Sequence, residues 1–170
     1  MSFISGHRTT GGLVLKVSRE EREFHRRSAV NCFNRAWDLL EKKDRSEEEN
    51  LQMLHLGHAS RYHWGLIGTP MNRAVGDWQL SRIYAELGQP QLALLFAESS
   101  LAICEENELS EILHTANEAV ARAYAVAKDY RNARTYLNKA SRQLDKLALS
   151  ENDRRVYLDQ IAETKALIRG

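Results

Sequence analysis

The densest set of side chains able to do chemistry lies between positions 55 and 64: His55, His58, Tyr62, His63 and Trp64. Imidazoles bind metals and carry protons near neutral pH, and on a helix side chains three or four apart share a face. His55 and His58 meet that spacing. At 100° per residue His63 lies about 140° around from His58, and no carboxylate stands at a matching position, so no metal site is expected. Leu51, Leu54, Ala59, Tyr62 and Leu66 share the face of His55 and His58, while Met53, Leu56, Trp64 and Ile67 populate the other side. A helix apolar nearly all round is expected to be central, its histidines buried and bonded to polar neighbours. The alternative is a pocket against the following helix, lined by His58, His63, Asp77, Trp78 and Arg82, and suited to acid–base work or a small ligand.

A second set is spread more widely. Arg82 and Arg122 stand forty residues apart, with Trp78 and Glu118 each four residues before them. Two guanidinium forks on neighbouring hairpins could hold a carboxylate or an acidic peptide, beside a flat indole. Each arginine also has a carboxylate at spacing four, Glu86 and Glu118, which would pair with it along its own helix. No Ser-His-Asp or Cys-His set is evident. Gly11-Gly12 lacks the lysine and helix of a phosphate loop, and no cofactor is implied. Cys32 and Cys104 are distant, lack CxxC spacing and sit in apolar stretches, so both are expected as reduced core residues.

The elements that must position these groups are helices. The 170 residues contain only two prolines, Pro70 and Pro90, and both fall at breaks. Ser18 with Glu21, Ser46 with Glu49 and Ser150 with Asp153 read as capped helix starts. Gly68-Thr69-Pro70 and Gly88 read as stops. About seven helices result, near 19–43, 47–67, 71–87, 90–107, 110–127, 130–148 and 151–168. Short connections make neighbours antiparallel. Residues 1–17 look different and are expected to form a flexible N-terminal arm, or one that packs on a partner subunit through Leu13, Val14, Leu15 and Val17. Residues 18–170 then form a single α-helical domain.

The hairpins repeat. Asp77, Leu80, Ser81, Tyr84, Ala93 and Ala97 are matched forty residues later by Asn117, Val120, Ala121, Tyr124, Ala133 and Leu137. This order of large, small, aromatic and small positions resembles the tetratricopeptide (TPR) repeat, where a small residue in one helix lets the next approach. The resemblance covers about 74–148, with a capping helix at 150–168 whose apolar side is Leu158, Ile161 and Leu167. Asp77 and Asn117 stand where the family has tryptophan, and Glu105 and Asp145 where it has proline. His58 to Trp64, Gly76-Asp77-Trp78 and Ala93 to Glu98 are also similar to a bacterial group of TPR-like proteins. The resemblance implies an all-α right-handed superhelix of hairpins with Trp78, Arg82, Glu118 and Arg122 facing a concave groove.

Charge is balanced, with 24 Lys and Arg against 23 Asp and Glu. That gives no general attraction to nucleic acid or to anionic membrane, and no stretch of eighteen apolar residues exists to span one. With no leader-like block, a cytoplasmic protein is expected. The function expected is a non-catalytic interaction module that takes a protein or peptide partner in the groove. A structural homo-oligomer subunit, such as a homodimer, is a further alternative.

Overall fold

The computed structural model describes residues 17–169, so the N-terminal arm expected over 1–17 lies outside the described residues apart from Val17. Seven helices follow one another: α1 (Arg19–Glu41), α2 (Glu47–Ile67), α3 (Pro70–Glu86), α4 (Pro90–Glu106), α5 (Leu113–Val126), α6 (Tyr130–Leu144) and α7 (Glu151–Arg169). All regular structure among the described residues is helical. None of these helices is long and apolar enough to cross a membrane.

Local chemistry sets the ends. Ser18 and Ser46 form capping boxes with Glu21 and Glu49, and Thr69 forms one with Asn72 just ahead of Pro70. Each box satisfies backbone donors that a helix start leaves open. Ser150 Oγ accepts from the Asp153 amide at the start of α7. The turns joining α3 to α4 and α5 to α6 are copies of one another. Gly88 has φ +67° and Lys128, forty residues on, has φ +63°. The next amide bonds back to the aromatic carbonyl in both: Gln89 to Tyr84 at 2.9 Å and Asp129 to Tyr124 at 2.9 Å.

Helices pair as α1–α2, α3–α4 and α5–α6, and α7 lies against α5 and α6. The core is built from small residues where helices cross. Ser81, Ala93, Ala121 and Ala133, the predicted small positions, are all buried. Tyr84 stacks on Phe96 and Tyr124 on Tyr136, the equivalent pair one repeat later. The second helices share a burial register: Met53, Gly57 and Ser60 in α2, Ala93, Ala97 and Ser100 in α4, and Ala133, Leu137 and Ala140 in α6. The forty-residue spacing therefore reaches back into α2.

That register corrects the expectation of a central second helix. The buried elements are α3 and α5, while α2 is an outer helix that seals only its Met53 stripe. His55, His58, Leu51, Tyr62 and Leu66 lie on its exposed side. A helix apolar on several sides need not be covered on all of them. Two further expectations change. Cys104 is buried but Cys32 is only half-buried. Leu158 and Leu167 of α7 are exposed, and the helix instead buries Thr164 and Ile168, with Ile161 packed beside them.

Candidate functional site

Trp78, Arg82, Glu118 and Arg122 converge. Since α3 and α5 are neighbours one repeat apart, residues at equivalent positions point the same way. Arg122 Nε donates to Glu118 Oε1 at 3.0 Å, the pairing expected from spacing four. Arg82 does not use Glu86, which is taken by Arg45 of the α1–α2 connection at 2.7 Å. It reaches instead to α7, donating to Glu163 Oε2 at 3.1 Å, while Arg122 donates to the same oxygen at 3.0 Å. The two arginines hold a carboxylate, and it is one from their own chain. Thr164, beside Glu163, donates its hydroxyl hydrogen to Glu118.

Charge in this cluster is strongly coupled. Burial and the neighbouring Arg122 push Arg82 below its ordinary ionisation range, against the pull of Glu118 and Glu163. Burial also works against charge on Arg122, but Glu118 and Glu163 outweigh it and raise its pKa. Glu163 loses water too, yet the two guanidinium groups hold its carboxyl below the usual range. Glu118 Oε2 lies 3.9 Å from an Arg82 nitrogen and accepts no hydrogen bond from the described residues.

An aromatic wall adjoins the ion cluster. Trp37 of α1 stacks on Trp78 at 5.3 Å between centroids, and the Arg82 guanidinium stands 5.6 Å and 5.8 Å from the two rings. Such placement favours the cation by electrostatics with the ring face. Trp37 Nε1 donates to Glu41 at 2.8 Å, whereas the buried Trp78 Nε1 has no partner among the described residues.

Above the cluster an open cleft of about 600 Å³ runs between α1 and α7. Trp37, Leu40 and Glu41 form one wall, Val156, Asp159, Gln160, Glu163 and Leu167 the other, and residues of α3 and α5 the floor. Its volume lies in the range of ligand-binding clefts. Its polar lining consists of the carboxylates Glu41, Glu86, Asp159 and Glu163, the guanidinium groups of Arg82 and Arg122, and the Gln160 amide.

The residues of the alternative pocket between the second and third helices do not converge. His58 Nε2 bonds the Tyr84 hydroxyl at 2.8 Å and packs edge-on to Phe96. His63 faces His25 of α1, their Nδ1 atoms 2.8 Å apart, so one hydrogen is shared between them. Burial pushes both His58 and His63 below the ordinary imidazole range, helped by His55 and His25 respectively. Asp77 accepts from Arg61 and from Ser99 Oγ. The five side chains thus serve separate contacts: Arg82 lines the cleft, and Trp78 stacks on Trp37 of its wall.

Sequence reasoning missed Glu163, Thr164 and the place of Trp37 in the cleft wall. Trp37 is visible as an apolar residue of the first helix, but its stacking partner is forty-one residues away. Glu163 carries no local signal, because only the docking of α7 brings it to the arginines. No family model, curated protein or solved structure matches this chain.

Proposed function

We propose that the protein is a non-catalytic interaction module that takes a helix or peptide of a protein partner in the cleft between α1 and α7, on the concave side of TPR-like hairpins. The observation that carries this reading is the cleft itself. Its walls leave apolar surface uncovered, with Val156 54% and Leu167 42% exposed, above a floor of fixed charges. Apolar anchors in a concave seat, with buried polar groups to set orientation, are the usual basis of helix-in-groove recognition.

Site-specific photocrosslinking tests it. A benzophenone amino acid replacing Val156 or Leu40 should give a discrete adduct in an extract of the native cell, whereas the same group at Leu95 of α4 should not. Equal labelling from all three positions would reject the cleft as the binding surface.

The exposed side of α2 and α4 favours a second reading, a homo-oligomer subunit. Leu51, Tyr62, Leu66, Leu92 and Leu95 are all exposed, and His58 against Phe96 joins the two helices into one surface. Sedimentation of the wild type beside Leu66→Lys and Leu95→Lys variants tests that reading. A monomer at every concentration rejects it.

A further inference from the structure

The cleft specifies the chemistry of its occupant, an inference that rests on reading it as a helix seat. Leu40 lies three residues after Trp37 and Glu41 four, so they share one face of α1. Val156, Gln160, Glu163 and Leu167 are spaced by four, three and four and form one stripe of α7. From Val156 to Leu167 that stripe runs for about 16 Å, or three turns. Between the walls the floor carries two apolar side chains, Ala85 and Val126, beside the charged ones. Two walls that each present a helical stripe, about three turns long on the α7 side, suit one further α-helix laid between them.

The lining charges then separate into those already answered and those left over. Arg82 and Arg122 are engaged by Glu163 and Glu118. Glu86 is answered by Arg45. Glu41 on the α1 wall and Asp159 on the α7 wall have no basic side chain within ion-pair distance among the described residues. The first is held by the Trp37 indole hydrogen, a neutral donor. The two arginines that suggested an acidic ligand are therefore balanced in charge by two carboxylates of their own chain, and the uncompensated charge is negative on both rims.

We infer that the occupant is an amphipathic helix with an apolar stripe flanked on both sides by lysine or arginine. An acidic helix would have to displace Glu163 from two guanidinium groups and would then face Glu41 and Asp159. A basic one meets a carboxylate on each wall and leaves the Glu163 bridge intact. Complementary rim charges act on specificity and association rate more than on total affinity. The effect is accordingly set by two partly exposed pairs.

The full chain is titrated with two synthetic fourteen-residue helices of leucine and alanine, one bearing lysine and the other glutamate at the flanking positions. Tryptophan fluorescence and isothermal calorimetry report binding at low salt. The lysine helix should bind at least about tenfold more tightly, and its affinity should fall as salt rises. The Glu41→Lys, Asp159→Lys double variant, folded as judged by circular dichroism, should reverse that order. Preference of the wild type for the glutamate helix overturns the charge assignment while leaving the helix seat standing. Equal affinity of the lysine helix for wild type and double variant places it elsewhere and overturns the inference. Binding of neither helix removes both the inference and the reading beneath it.

Discussion

Thr164 of α7 donates its hydroxyl hydrogen to the buried carboxyl of Glu118 on α5. Thr164 is fully buried and Glu118 is 2% exposed. The same Glu118 oxygen accepts from Arg122, which also bonds the Gln160 carbonyl of α7 at 3.3 Å. One carboxyl therefore ties the last helix to the repeat floor. It also explains why Glu163 arrives at the arginines, since docking Thr164 fixes the position of its neighbour.

Removing either partner should loosen α7 before the hairpins. Thr164→Val keeps the shape but strips a donor from a buried acceptor, and should cost about 1–3 kcal/mol. Glu118→Ala leaves two guanidinium groups poorly paired in a buried site and should cost about 3–5 kcal/mol. Urea unfolding gives both values, and hydrogen exchange should show α7 amides losing protection first. Thr164→Val within about 0.5 kcal/mol of wild type would show the contact to be energetically idle.

The two copied turns make an internal comparison. Gly88 and Lys128 share a left-handed backbone, which costs an ordinary residue roughly 1 kcal/mol and glycine little. Lys128→Gly should raise stability by about 0.5–1 kcal/mol, while Gly88→Ala should lower it by about 1 kcal/mol. None of the described residues lies within 4 Å of a methyl placed on Gly88, so backbone conformation alone is probed. Changes of the same sign in both variants, by thermal melting, would reject the account.

What could be read from the chain depended on range. The turn at Gly88, the capping serines and the matched pairs 81 and 121, 84 and 124 are local or strictly periodic, and each lies where its spacing places it. The convergence of Trp78, Arg82, Glu118 and Arg122 was legible for the same reason, because a repeat carries equivalent positions to one surface. The exposure of α2 was not legible. Periodicity reports which faces are apolar, and the covering of each face is decided by helices elsewhere. Glu163 was hidden because α7 had been placed in register by its leucines, whereas a buried threonine and isoleucine set it.

The two cysteines should separate kinetically. Burial, with Glu111 and Glu105 nearby, pushes the Cys104 thiol up to about 11, and its side chain is 1% exposed. Thiolate is the reacting form. A disulfide reagent at pH 8 should therefore label the half-buried Cys32 quickly and Cys104 only at the rate of opening. Cys32→Ser should remove the fast phase alone. Two fast thiols in the folded protein would contradict the packing around α4.

Acid should act through His114. This residue of α5 is 2% exposed, with its ring 4.4 Å from that of Tyr157 and edge-on to it. Its Nε2 pairs with the Thr115 hydroxyl at 3.2 Å, and its Nδ1 has no partner among the described residues. Burial lowers its pKa to about 4, with Glu118 pulling weakly the other way. An exposed imidazole in the unfolded chain titrates near 6.5, so between these values the unfolded state binds more protons. The stability contributed by neutral His114 is then complete above about pH 6.5 and is lost as pH falls toward 4. The full window corresponds to about 3 kcal/mol. His58 and His63 are shifted in the same direction, so the test is a difference. Between pH 7 and pH 4 the wild type should lose about 3 kcal/mol more than His114→Leu, with α7 and Tyr157 released first. A His114 ring proton titrating near 6.5 in the folded protein, or equal pH slopes for the two chains, would overturn it.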